Sequence, residues 1–150
     1  MSNKSSLLLT AYKNLDWDTY VDLCDSLTSV NKDSIDLNLQ LQSSLYSHYA
    51  GLEALARLEV DRAETMLEMA ISRARQKAEI SSVNLKLTEK KIEAHAAIDS
   101  EVYEAKESLH KAEYRYNLLH GLVKALDQKK DCLIQMSSNH RAEMNLVAKG

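Results

Sequence analysis

The sequence contains no proline and no phenylalanine, and its 150 residues include only three glycines and one tryptophan. Proline and glycine mark the turns between short elements, so their scarcity argues against a compact α/β enzyme. Alanine, leucine, glutamate and lysine, which favour helices, dominate the second half of the chain. The composition therefore predicts an all-α protein with long helices of the hairpin or coiled-coil type, short accessory helices and an oligomeric assembly.

Long apolar runs and clusters of reactive side chains are also missing. No stretch approaches the roughly 18–20 apolar residues of a membrane span, so the sequence predicts an intracellular protein without a membrane partner. Cys24 and Cys132 lie far apart, and the five histidines form no His-x-x-x-His pair. No phosphate-binding loop, nucleophile elbow or triad spacing stands out. We therefore expect no enzymatic activity, no cofactor and no metal site.

Helical periodicity predicts a single domain over residues 1–150. We expect helices at about 16–29, 36–79, 89–98 and 100–145, with a hinge at about 80–87 where β-branched and serine residues break the pattern. Thr88 and Asp99 are the candidate caps of the last two helices. The long second helix has an apolar face that comprises Leu41, Leu45, Tyr49, Leu52, Ala56, Val60, Ala63, Leu67, Ala70, Ala74 and Ala78.

The last helix carries a narrow seam in which residues recur at steps of three and four. Its ten positions are Val102, Ala105, Leu109, Ala112, Tyr116, Leu119, Val123, Leu126, Lys130 and Leu133. Such a seam is typical of a helix covered by another helix, from the same chain or from a second subunit. Because large aromatic side chains are few, we expect association into an oligomer. The candidate seam residues between subunits are Val102, Leu109, Tyr116, Leu119, Val123, Leu126 and Leu133. Gly121, inside this helix, suggests a close helix crossing.

Positive charge is concentrated in one stretch of an otherwise acidic chain. The net charge is −3, yet residues 73–91 contain six basic and two acidic side chains. The basic residues are Arg73, Arg75, Lys77, Lys86, Lys90 and Lys91. Such a cluster can neutralise the phosphates of any nucleic acid strand, although a solvated helix end is the simpler interpretation. It contains no aromatic residue for base stacking. Tyr114 and Tyr116 with Arg115 form another candidate platform, but Tyr116 falls on the seam.

Three segments resemble one family of small phage proteins. They are KLTEKKI at 86–92, IDSEV at 98–102 and ALDQKKDCLI at 125–134. The family comprises the recombination mediators of the UvsY type, and the similarity extends from about Leu15 to about Met144. The family's basic-Ala-Arg step matches Arg73-Ala74-Arg75. Where the T-even pattern places aromatic residues next, this chain has Gln76, Lys77 and Ala78, which favours phosphate contact over base stacking.

The resemblance implies a function that the residues alone do not specify. Members of this family are helical, form rings of six or seven subunits and bind single-stranded DNA. They help a phage recombinase to displace single-strand-binding protein, and they act in the cytoplasm of the infected bacterial host. The C-terminal helix of the family carries assembly, which here falls on the seam. The competing interpretation is a structural or regulatory coiled-coil phage protein, such as an assembly factor or an inhibitor of a host enzyme.

Overall fold

The computed structural model describes residues 15–30, 32–82 and 88–148. Its elements are helix α1 (Trp17–Thr28), a 3₁₀ turn (Lys32–Ser34), and helices α2 (Ile35–Ser82), α3 (Glu89–Ala97) and α4 (Ser100–Val147). Helices hold 94% of these residues and none is in a strand, with α2 packed against α4. The predicted all-α class with long paired helices is confirmed.

The observed helices differ from the expected boundaries most clearly at the hinge. Helix α2 continues through Ser82, so residues 80–82 are helical and not part of a linker. β-Branched residues and serines each lower helix propensity by less than about 1 kcal/mol, which does not end a 48-residue helix. The remainder of the predicted hinge, 83–87, lies outside the described residues.

Aspartate side chains cap the N-termini of two of the helices. Asp16 caps α1 by accepting a 2.8 Å hydrogen bond from the amide of Thr19. Hydrogen bonding with the side chain of Thr19, and then with its amide, holds the pKa of the Asp16 carboxyl below the usual value. Asp99 accepts a 2.8 Å bond from the amide of Glu101 at the start of α4, as expected for a cap. Thr88 occupies the N-cap position of α3, but its side chain makes no capping hydrogen bond. The expected role of that hydroxyl is therefore wrong.

The described chain forms two compact units, and the single domain that the sequence indicates stays a prediction. The first unit contains the residues up to Ala54 and those from Asn117 onward, and the second runs from Leu55 to Tyr116. Within the first unit, α2 and α4 are antiparallel, because Gln42 contacts Leu126 while Glu53 contacts His120. Its core consists mainly of α4 leucines with at most 2% of their surface exposed. These are Leu119, Leu122, Leu126 and Leu133.

Two polar side chains are buried in the first unit, and neither was expected there. The Gln42 amide of α2 donates a hydrogen bond to the carbonyl of Leu126 in α4. The Lys129 ammonium donates to the carbonyl of Leu27 at 2.7 Å and to Asn38 Oδ1 at 3.3 Å. Burial lowers the pKa of Lys129, because a charge held away from water is disfavoured. These bonds tie α1 and α2 to α4 at a fixed register.

The second unit has a core of small side chains. Lys77 of α2 contacts Glu101, while Glu59 contacts Arg115, so α2 and α4 are antiparallel here as well. Its buried residues are Ala56, Val60, Ala70, Ala74, Ala96, Val102 and Ala112. Side chains this small allow helix backbones to approach closely, and burial is achieved without large aromatic residues.

The seam of α4 is covered by the chain itself. Val102, Leu119, Val123, Leu126 and Leu133 are buried, and Leu109 and Tyr116 are half-buried. A side chain that one chain already covers has almost no surface left for a second subunit. For the five buried positions the interpretation as a seam between subunits needs correction, because they belong to the intrachain cores. Leu109 and Tyr116 keep part of their surface exposed, so for them it stays a prediction. Oligomerisation remains a prediction, and it requires other surfaces.

Leu126→Ala tests whether Leu126 lies in a closely packed core. Removing a fully buried leucine leaves a cavity, so we expect a loss of about 2–5 kcal/mol in the free energy of unfolding. Ile134→Ala is the matched control, because Ile134 lies on the same helix with 51% of its surface exposed. That change should alter stability by only about 0.5 kcal/mol. Urea denaturation followed by circular dichroism measures both, and equal small effects would contradict the assignment.

Gly121 of α4 faces the tip of the Tyr20 side chain of α1 within the first unit. The close helix crossing that the sequence suggested at this position stays a prediction. A Cβ atom at Gly121 would lie 2.7 Å from the Tyr20 hydroxyl oxygen but 3.7 Å from Cζ. Burial, assisted by neighbouring Cys24, raises the pKa of the Tyr20 phenol to about 12. Because a Cβ atom would lie so close to it, the Tyr20 hydroxyl occupies the space that a side chain at position 121 would need.

Gly121→Ala should stabilise the protein only when that hydroxyl is removed. In a Tyr20→Phe background, we expect alanine to add about 1 kcal/mol of helix propensity. In the wild-type background the clash offsets this gain, so a double-mutant cycle should show a coupling of at least about 0.5 kcal/mol. Chemical denaturation of the four proteins gives this coupling. Additive effects would show that the two residues do not meet.

Candidate nucleic-acid interface

Five of the six predicted phosphate-binding residues can be placed, and all five lie in the second unit. Arg73, Arg75 and Lys77 are in the last turns of α2, and Lys90 and Lys91 are in the first turn of α3. Each of the five side chains is exposed. Lys86 lies outside the described residues.

The three cations of α2 lie on two different faces of that helix. Residues two apart diverge by about 200°, whereas residues four apart share a face. Accordingly, Arg75 Nη2 lies 3.8 Å from Glu93 Oε1 of α3. Lys77 Nζ lies 3.1 Å from Glu101 Oε1 and 3.6 Å from Asp99 Oδ2, at the start of α4. A single strand of DNA that contacts all three must therefore bend around α2.

Arg73 lies beside α4 on the rim of an open groove of about 320 Å³. The groove is lined by Ala63, Met66, Ala70, Arg73, Glu101, Glu104, Ala105 and Ser108. Its alanines provide a narrow apolar floor, and two glutamates stand on the α4 side. The carboxylates make this groove a poor site for an anion, so a phosphate would reach Arg73 from the solvent side.

The fold brings acidic residues to the basic stretch, which changes its electrostatic character. Over the described residues between 73 and 107 there are six basic and seven acidic side chains. The acidic residues are Glu79, Glu89, Glu93, Asp99, Glu101, Glu104 and Glu107. The positive field that residues 73–91 suggested is therefore largely cancelled in this unit. Counting along the sequence missed this because α3 and α4 fold back beside α2.

The ion pairs at this surface are exposed and weak. The paired side chains of Arg75 and Glu93 are 55% and 58% exposed, and that of Lys77 is 56% exposed. Exposed pairs of this kind contribute about 0–1 kcal/mol to stability. The hydrogen bond from Lys77 to Glu101 is the main cause that raises the pKa of Lys77 and keeps it charged. Among the described residues, no ion pair is recorded for Arg73, Lys90 or Lys91.

The candidate stacking platform is not assembled as the sequence suggested. Tyr116 is half-buried, and the guanidinium of Arg57 lies 5.6 Å from the centre of its ring. Arg115 Nη2 pairs with Glu59 at 3.2 Å and is therefore turned toward α2. Tyr114 and Tyr103, by contrast, are 46% and 66% exposed. The sequence did not single out Tyr103 as a candidate stacking residue, although its place on the helix face opposite the seam indicates that it is exposed.

Other kinds of site are absent from the part of the chain that the structure describes. There, no three His, Cys, Asp or Glu side chains are grouped in a way that would hold a metal ion. None of the helices described is long and apolar enough to cross a membrane. Cys24 is half-buried and Cys132 is exposed, and both are free thiols.

Comparisons with known proteins provide no relative from which a function can be transferred. The chain matches no protein-family model, no curated protein and no solved structure. The resemblance to the UvsY-type mediators therefore depends on the quoted segments alone.

Removing the cations of α2 should leave the fold intact. Arg75→Ala deletes one exposed ion pair, so we expect it to reduce the unfolding free energy by less than about 1 kcal/mol. Lys77→Ala deletes two surface pairs, and we expect its melting temperature to stay close to that of the wild type. Thermal denaturation at low and high salt would measure this, and the small difference from wild type should shrink further as salt screens the pairs. A larger reduction would show that these residues are structural and unsuitable as probes of ligand binding.

Proposed function

We propose that this chain is a non-catalytic recombination mediator of the UvsY type. In this proposal an oligomer of the chain binds single-stranded DNA and helps a phage recombinase to replace single-strand-binding protein. It acts in the cytoplasm of the infected bacterial host. The support consists of the segments that resemble the family and the exposed cations of the second unit.

One observation carries the proposal, namely that the candidate phosphate ligands are accessible. Arg75 and Lys77 are more than half exposed and are held only by surface ion pairs. A phosphate can therefore exchange with a carboxylate at little cost in free energy. Lys90 and Lys91 are exposed on α3 in the same unit. Each of these four cations is thus accessible to a sugar–phosphate backbone.

The surrounding carboxylates limit the strength of such binding. Each phosphate must compete with Glu93, Asp99 or Glu101 for its cation, so affinity per subunit should be low. Linking several weak sites in an oligomer raises the overall affinity by avidity. The proposal therefore requires assembly, even though the α4 seam does not provide the interface.

An observation also favours the second candidate function, a structural or regulatory coiled-coil phage protein. Four large apolar side chains of α2 in the second unit are between 44% and 57% exposed. They are Leu55, Leu58, Met66 and Met69. They recur at helical spacing, so they share one face of α2. A face of this kind is typical of a helix that binds another protein.

A titration of labelled oligo-dT at two salt concentrations separates the two candidates. We expect the wild type to bind, with an affinity that falls steeply as salt rises. The Arg73→Ala/Arg75→Ala/Lys77→Ala variant should bind more weakly, and its salt slope should be shallower by about 0.7 for each phosphate that is no longer neutralised. Arg62→Ala is the matched control, because Arg62 is an exposed arginine of the same helix. Its affinity should be close to that of the wild type.

Removing carboxylates in place of cations provides a second test with the opposite expected result. Glu93→Gln with Glu101→Gln removes two of the three carboxylates that compete for Arg75 and Lys77, so oligo-dT should bind more tightly. Sedimentation in the same buffer should give a mass several times 16.9 kDa. Failure of the wild-type protein to bind oligo-dT would contradict the mediator and favour the structural alternative.

A further inference from the structure

The outer face of α4 in the second unit carries aromatic rings that are exposed to solvent. Tyr103 is 66% exposed and Tyr114 is 46% exposed, and His110 between them is exposed as well. On an ideal helix these three positions fall within an arc of about 40°. Ala112, which is buried, points to the other side. We call Tyr103, His110 and Tyr114 the ring stripe.

Among the residues that the structure describes, the rings of the ring stripe take part in no ring–ring or cation–π contact. The recorded ring contacts join Trp17 with Tyr20 and His48 with Tyr49, and the recorded cation–π contact involves Tyr116. Burying these tyrosines against the helices would have stabilised the fold, since each ring buries a large apolar area. Instead both rings remain in solvent, where they are available to a ligand with flat faces.

The spacing of the ring stripe suits a row of stacked planar groups. At 1.5 Å per residue, His110 lies about 10.5 Å from Tyr103 and about 6 Å from Tyr114 along the helix. Stacked bases of a strand are about 3.4 Å apart, so these intervals are close to three and two base steps. Aromatic side chains presented in sequence along an element are how proteins hold single-stranded nucleic acid without reading its sequence.

Charge near the ring stripe is balanced, which sets the mode of binding. Lys106 and Lys111 are exposed on either side of the stripe, within reach of the phosphates of a strand whose bases face the rings. The acidic residues of the same stretch are Glu104, Glu107 and Glu113. Three carboxylates against two lysines leave little net attraction for a polyanion. Ligand binding here must therefore depend on stacking more than on charge.

We propose that Tyr103, His110 and Tyr114 form a base-stacking site for single-stranded DNA. This inference rests on the proposed function and deepens it, because it adds base contacts to the phosphate contacts of α2 and α3. It also supplies on α4 the aromatic groups that the basic stretch lacks. The bases would lie along the outer face of α4, and the two lysines would contact the backbone.

The experiment compares oligo-dT with an abasic strand of the same length. Tyr103→Ala/Tyr114→Ala should lower the affinity for oligo-dT by at least about tenfold, in line with stacking on two rings. Its affinity for the abasic strand should equal that of the wild type. The salt slope should not change, because no cation has been removed. Tyr103→Phe/Tyr114→Phe should retain wild-type affinity, since phenylalanine keeps the ring face.

Tyr46→Ala is the matched control, because Tyr46 is a 40% exposed tyrosine of the first unit. It should bind both strands as the wild type does, and sedimentation should show the same assembly for every variant. If the wild type binds oligo-dT and the double alanine variant binds it equally well, the stacking site is overturned while the proposed function stands. Equal affinity of the wild type for both strands would also overturn it and would indicate a protein-docking face. Absence of any wild-type binding would overturn both proposals.

Discussion

The antiparallel packing of α2 against α4 is the interaction on which the rest of this structure depends. Within each unit it buries α4 residues that are spaced by three and four, and apart from Lys129 these are leucine, valine and alanine. Apolar surface removed from water contributes about 25 cal/mol per Å², so long paired helices can accumulate enough burial without aromatic residues. The bonds from Gln42 and Lys129 then fix the register within the first unit. Because the seam is covered in this way, any assembly must use residues that the single chain leaves exposed.

The same packing decides the electrostatics of the candidate site. Arg75 and Lys77 belong to a positive stretch of sequence, but α3 and α4 place Glu93, Asp99 and Glu101 against them. The result is a surface of exposed pairs with almost no net charge. Such a surface differs from the continuous positive groove of many nucleic-acid-binding proteins. If this surface binds DNA, the binding free energy must come from three sources. These are the exchange of weak ion pairs for phosphate contacts, the repetition of the site in an assembly, and contacts that do not depend on charge.

In the proposed stacking site, exposed aromatic groups would provide that other contact. The core of the second unit consists of alanine and valine, and Tyr103 and Tyr114 lie on the outer face of α4. A helix is a rigid support for such rings, because neighbouring positions on one face keep a fixed spacing. Phosphate contacts on α2 and α3 together with base contacts on α4 would let one unit hold a strand without sequence preference. This is the requirement for a protein that must act on any exposed single strand.

The sequence by itself determined the helical class and the approximate extent of the four helices. These features follow from local propensity and from periodicity, which act over a few residues. Only the tertiary structure decided that Leu126 and Leu133 are covered within one chain, that Gln42 is buried in place of Leu41, and that the basic stretch is neutralised. A seam has the same pattern whether its partner helix belongs to the same chain or to another. Likewise, the charge of a surface depends on which distant residues fold beside it, and linear spacing does not contain that information.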